Sequence, residues 1–127
     1  MITREQALTR LHAQAAARAA IVGCGALGTV EAELLTRAGV GSIRLIDRDF
    51  IELSNLQRQI IHSTANVGTA KVKSAIETLA AINPEVRVTP HHLRLNAANA
   101  AGLVADYDVI CDGSDNFATR YLVNDAC

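Results

Sequence analysis

The chain has 127 residues, enough for one domain with a real core and little more. Half of them are hydrophobic, yet 22 are alanines and only 3% are aromatic, so the usable core volume is smaller than the percentage implies. A net charge of -1 and a pI near 6.4 give no electrostatic footprint for a nucleic-acid partner, and no run of 18 apolar residues offers a membrane span.

Met1 leads into a polar segment, unlike a signal peptide, and the separated Cys24, Cys111 and Cys127 form neither a disulfide framework nor a metal knuckle. A cytoplasmic setting is expected. Thr3-Arg4-Glu5-Gln6 fits a capping box, from which a helix is expected to run to about Arg18 with Leu8, Leu11 and Ala15 as its apolar stripe. Such a helix covers the sheet or a partner subunit. Ala19 to Val22 reads as a strand that breaks into Gly23-Cys24-Gly25-Ala26-Leu27-Gly28, with a helical pattern from Thr29 onward and Val30, Leu34 and Leu35 on its apolar side. A glycine loop between strand and helix lets backbone approach a phosphate, which then meets the free N–H groups of the first turn. Cys24 is explained by its small size rather than by reactivity.

Ile43 to Ile46 is the second buried strand, and it runs into Asp47-Arg48-Asp49-Phe50-Ile51-Glu52-Leu53-Ser54-Asn55-Leu56-Gln57-Arg58-Gln59. Open parallel sheets place ligands at the carboxyl ends of their strands, so this polar segment is expected to face a ligand crevice. Asp47 follows Gly28 by 19 residues, near the spacing at which an acid reaches a nucleotide ribose. Gly68 to Asn83 is expected to be helical, with Val72, Ile76, Leu79 and Ala80 on one face; Lys71 and Lys73 stand in its first turns against the helix dipole, which points to an anion nearby. Val86 to Pro90 is the third strand, which Pro90 ends or confines to an edge, and His91 and His92 are read as surface residues. A short helix over Asn96 to Ala105 and a strand over Asp108 to Asp112 follow, then Gly113-Ser114-Asp115-Asn116 and a helix able to bury Phe117, Tyr121 and Leu122. Either Asp115 or Asn116 is a helix cap, or a carboxylate here faces the same crevice as Asp47 and holds a hard cation.

Gly23-x-Gly25-x-x-Gly28, Asp47-x-Asp49, Ser54-Asn55-Leu56-Gln57-Arg58-Gln59, Gly68-x-x-Lys71, Ile82-Asn83-Pro84 and Ser114-Asp115-Asn116-x-x-x-Arg120 follow in order with close spacing. Together they resemble the ThiF/MoeB/HesA family, the bacterial relatives of ubiquitin-activating enzymes, from about Arg18 to Cys127. The resemblance implies an α/β, Rossmann-like doubly wound fold with a mainly parallel sheet of about four strands, in one domain over residues 1–127 with 1–18 as an N-terminal helix. It implies a cytoplasmic adenylyltransferase that uses ATP and Mg2+ to activate the C-terminal carboxylate of a small ubiquitin-fold or sulfur-carrier protein, working as a homodimer. By matching position, Gly23, Gly25 and Gly28 would approach the nucleotide, Asp47 would bind ribose, and Asn55, Arg58 and Lys71 would hold phosphates. Asp49 and Gln59 belong to the same nucleotide-binding set, and Asp115 would place Mg2+. Arg58, Lys71 and Asp115 are the expected catalytic group, as charge stabilisers rather than a nucleophile or base.

The leader departs from the family's Arg-x-x-Arg-Gln arm, and the family's later strands and zinc motifs do not follow, so the sequence reads as an N-terminal piece. The alternative is a catalytically silent, truncated nucleotide-binding or dimerisation module. An NAD-dependent oxidoreductase would explain the glycine loop and Asp47 but leave Asn55, Arg58, Lys71 and Asp115 without roles.

Overall fold

The computed structural model describes residues 1–59, 61–114 and 117–127, Phe117 by its backbone alone. Four strands, β1 (Arg18–Val22), β2 (Ser42–Asp47), β3 (Arg87–His92) and β4 (Val109–Asp112), form one parallel sheet in the order β3-β2-β1-β4. The right-handed crossovers of such a sheet need helices on both faces, and this dictates the burial pattern. Ala20 and Ile21, neighbours that point to opposite faces of β1, are both fully buried. On one face Ala19, Ile21, Ile43 and Leu45 pack against α2 (Ala26–Arg37) and α3 (Lys71–Ile82), while Val22 and Ile46 on the other meet Leu95, Leu103 and Val123 from the side of α4 (Ala100–Val104) and α5 (Phe117–Ala126). Val22 is in register with both Ile46 and Asp112, so β1, β2 and β4 finish level and their loops share one crevice.

The strands lie where the apolar runs place them, and the helices differ in instructive ways. The Thr3–Gln6 capping box forms, but α1 spans Arg4–Ala16, short of Arg18, and buries none of its residues. Leu8 and Leu11 are exposed, so α1 does not cover the sheet. α2 begins at Ala26 rather than Thr29, with Gly25 as its cap. Its buried face is Gly28, Thr29, Ala32 and Thr36, with Leu35 packed beside it, whereas Val30 and Leu34 are exposed. Small residues let the helix axis approach the sheet, and they displace the large aliphatics to its outer side.

α3 begins at Lys71 because residues 68–70 are used elsewhere. Gly68, at φ +86°, donates to the Ile51 carbonyl, Thr69 accepts from Ile51 N–H, and Phe50 and Ala70 form an antiparallel bridge. Its buried face is Val72, Ser74, Ala75 and Leu79; Ala80 is exposed. Asn83 ends the helix and ties it to its neighbour by donating to the Thr36 carbonyl. β3 continues past Pro90 to His92, which the missing amide allows because β3 is the sheet edge. α4 is shorter than expected, since the Asn96 side chain accepts from the Ala98 and Asn99 amides and holds a turn where helix was anticipated. Among the described side chains of α5 Val123 is buried, Leu122 is half-buried and Tyr121 is exposed, while the expected burial of Phe117 lies outside the description.

Candidate nucleotide site

A cavity of about 850 Å³ opens over the carboxyl ends of β1, β2 and β4. Its floor is the glycine loop. Gly23 has φ +96°, a conformation that strains any other residue, and it redirects the chain out of β1. A Cβ on Gly28 would sit 1.7 Å from the Gly23 carbonyl oxygen, so this position must be glycine for α2 to pack onto the turn. A Cβ on Gly113, just past the end of β4, would meet the Gly28 Cα and amide nitrogen at 2.8 Å, so this position too calls for glycine. Gly25 differs, because a Cβ there meets only the Gln59 amide nitrogen at 3.8 Å. That glycine leaves room at the cavity wall rather than room for the fold.

Asp47 stands at the end of β2 and reaches across to the loop. One carboxylate oxygen accepts from Cys24 N–H at 2.7 Å, the other from Asp49 N–H at 2.8 Å. Each oxygen retains a lone pair, so the clamp that shapes the glycine loop still presents acceptors to a hydroxyl. Cys24 itself is buried, and burial, followed by the charge of Asp47, pushes its thiol far above the ordinary range. It is an inert filler of the loop, as its size suggested.

The segment after β2 forms the opposite wall. Residues Leu53–Asn55 make one 3-10 turn, in which Asn55 is buried and accepts from Glu52 N–H. Arg58 is exposed on the wall and donates to the Ser54 carbonyl at 3.2 Å. Gln59 is 2% exposed, yet its side-chain oxygen has no hydrogen-bond partner among the described residues. Lys71, the first residue of α3, is buried at the cavity with its amine 3.9 Å from an Asp49 carboxylate oxygen, and its backbone N–H donates to the Asp49 carbonyl. Lys73 points to solvent. Of the residues read as a nucleotide set, Gly23, Gly25, Asp47, Asp49, Asn55, Arg58, Gln59 and Lys71 all line this cavity; Gly28 lies beneath it. Asp115 lies outside the described residues. Among those described, no group of three or more His, Cys, Asp or Glu side chains is placed to hold a metal ion.

Two features were not singled out from sequence. Gly113 is one, a glycine in a polar turn with nothing local to mark its packing against Gly28. The other is His62, buried beneath the loop with Nδ1 2.9 Å from the Ser74 hydroxyl and Nε2 3.2 Å from the Cys24 carbonyl. Burial holds its pKa below the ordinary value, and the Lys71 charge pushes the same way. His92 is exposed, donates from Nε2 to the Arg48 carbonyl and meets Phe50 edge-on. No helix is long and apolar enough to cross a membrane among the described residues.

The model of the ThiF family matches residues 3–127. The probable adenylyltransferase/sulfurtransferase MoeZ of Mycobacterium tuberculosis is 53% identical over 110 residues, covering 87% of this chain and 28% of the relative. Among solved structures, E. coli tRNA N6-threonylcarbamoyladenosine dehydratase, TcdA, in complex with AMP is similar with a TM-score of 0.92 and 34% identity over 98% of this chain and 51% of that one. E. coli MccB with ATP is similar with a TM-score of 0.88 and 30% identity over 94% of this chain and 36% of that one. The chain thus spans about a quarter to a half of the proteins it matches.

Proposed function

Because this chain belongs to the ThiF family, we propose that it binds ATP in the cavity over β1, β2 and β4, and that the adenylate so formed is that of the C-terminal carboxylate of a small ubiquitin-fold or sulfur-carrier protein. The observation that carries this reading is the convergence of Asp47, Asn55, Arg58, Gln59 and Lys71 on a single glycine-floored cavity. A hydride-transfer site has no need of two cations and two amides there. Residues 1–127 are read as one nucleotide-binding unit.

In the reaction, a carboxylate oxygen of the carrier attacks the α-phosphorus. The new O–P bond forms as the bond to the bridging oxygen breaks, and pyrophosphate leaves with the electron pair. Both partners are anions, so alignment and charge neutralisation are the main requirements. Lys71 is desolvated and supplies a fixed positive charge; Arg58 is exposed and can follow the phosphates as negative charge moves to the leaving group. Gly25 admits the nucleotide backbone, and Asp47 offers its free lone pairs to the ribose. Mg2+, when bound, adds neutralisation of phosphate charge. It needs few protein ligands, one or two carboxylates beside phosphate oxygens, and Asp49 on the cavity wall is of that type, with Asp115 the position implied by the family.

Exchange of labelled pyrophosphate into ATP in the presence of a matching carrier is the test. Arg58→Ala and Asp115→Ala are expected to abolish exchange while helix content is retained; no exchange with any candidate carrier argues against the reading. A second reading, a nucleotide-binding or dimerisation module without turnover, is favoured by the exposed stripe of Leu27, Val30 and Leu34 along α2. Light scattering with ATP calorimetry separates them, since a stable dimer without ATP binding selects the silent module.

A further inference from the structure

Among the described residues three side chains grip the glycine loop, those of Asp47, Thr29 and His62, and the last has no local sequence signature. Cys24 N–H is held by Asp47, and the Gly25 carbonyl accepts from Thr29 through both its amide and its hydroxyl. Between them lies the Cys24–Gly25 peptide, whose carbonyl faces inward to His62 Nε2. A carbonyl only accepts, so Nε2 carries the proton; the neutral ring then accepts at Nδ1, and the fully buried Ser74 hydroxyl donates to it. The chain Ser74–His62–Cys24 therefore runs from α3 through the core to the underside of the loop.

Among the described residues no peptide bond is cis, and in a trans peptide the C=O and the following N–H point in opposite directions. Drawing the Cys24 carbonyl down aims the Gly25 N–H up. Gly25 lines the cavity and Cys24 does not. With the peptide turned over, a carbonyl oxygen would face the anion instead. We infer that His62 is a positioning residue: its Nε2–H, fixed by Ser74, sets the Cys24–Gly25 peptide so that the Gly25 amide is presented to a nucleotide phosphate. This rests on the nucleotide reading given above.

The substitutions His62→Phe and His62→Gln separate positioning from packing. Phe keeps a ring but loses the donor; Gln places an amide N–H close to the position of Nε2. In ATP calorimetry on the whole chain, His62→Phe is expected to weaken Kd about tenfold, the worth of one buried hydrogen bond, and His62→Gln to stay within about threefold of wild type. In the NMR spectrum the Gly25 amide proton is expected to move downfield with AMP in wild type and His62→Gln and to stay in place in His62→Phe. Equal ATP affinity in His62→Phe, or His62→Gln as weak as His62→Phe, overturns the inference and leaves the nucleotide reading intact. A wild-type chain that binds neither ATP nor AMP overturns both. If His62→Phe does not fold, Ser74→Ala takes its place, with a loss of about threefold expected and unchanged affinity counting against the inference.

Discussion

Gly28 and Gly25 belong to the same short motif, yet the structure assigns them opposite kinds of work, and a pair of alanine substitutions exposes the difference. At Gly28 the new methyl would stand 1.7 Å from the Gly23 oxygen, half the 3.4 Å of an ordinary contact, with the Gly23 carbonyl carbon at 2.7 Å. Both obstacles are backbone, so no side-chain rotation relieves the clash. The amino end of α2 must lift away from β1 and β4, which uncovers buried Thr29 and Ala32. Overpacking of this kind costs about 1–3 kcal/mol, and a rigid obstacle places Gly28→Ala at the upper end. For a chain of this length, about 3 kcal/mol corresponds to a fall in Tm of about 12 °C. Gly25→Ala meets only the end of a flexible side chain at 3.8 Å, and its backbone at φ -89°, ψ -149° lies just past the extended region, so its Tm is expected to fall by no more than a few degrees, well short of Gly28→Ala, while ATP affinity falls. Circular dichroism melts and ATP calorimetry on both variants are the assay. A Gly28→Ala melt within about 2 °C of wild type would refute the reasoning, as would a Gly25→Ala chain that loses stability and keeps its affinity.

Lys71→Met retains the buried stem and removes the charge, and ATP affinity is expected to fall about 10- to 100-fold with a smaller effect on adenosine; equal losses for both ligands would place Lys71 away from the phosphates. Asp47→Asn presents an amide nitrogen to one of the two backbone N–H groups that the carboxylate now accepts, and should cost about 1.5–3 kcal/mol in urea titrations; no loss would show that the clamp is dispensable. His62 and His91 both have folded pKa values below the ordinary 6.5, His62 chiefly through burial with Lys71 adding and the Cys24 carbonyl and Asp47 opposing, His91 through burial and then Arg44. Above that pH both states carry neutral rings; as pH falls below it the unfolded chain protonates first, so stability should decline from pH 6.5 toward the lowered folded values. Urea midpoints at about pH 5.5 and about pH 7.5 should show this decline, shallower in His62→Gln, and a midpoint that rises on acidification would contradict the sign.

The parts of the molecule that declare themselves in sequence are those whose causes are local. The Thr3–Gln6 box, the glycine loop between a strand and a helix, and Asp47 at a strand end each follow from residues a few positions apart. The cavity residues from Asp47 to Gln59 were legible for a related reason, since so polar a segment behind a buried strand has little to do in a core. The misreadings come from closeness of approach. Periodicity gave α2 an apolar face of Val30 and Leu34, but this helix lies so near the sheet that only Gly28, Thr29, Ala32 and Thr36 fit beneath it. The start of α3 was misplaced because residues 68–70 pair with 50–51, a contact between segments that no helical pattern reveals. His62 and Ser74 are 12 positions apart, and the carbonyl they serve is 38 positions before His62. Nothing short of the fold itself brings those three together.

The placement of β1 in the middle of the sheet has a consequence for how the chain is born. Its partner β2 lies nearby in sequence, but β4, which pairs with its other edge, ends 65 residues after β2 does. At about 5–20 residues per second of synthesis, β1 waits about 3 to 13 seconds with one ladder of N–H and C=O groups unsatisfied. An apolar strand with an open edge is a template for pairing with any neighbouring chain. The most deeply buried strand of the finished protein is thus the one with the longest exposure on the ribosome, and the alanines that shrink the core also make that strand less adhesive while it waits.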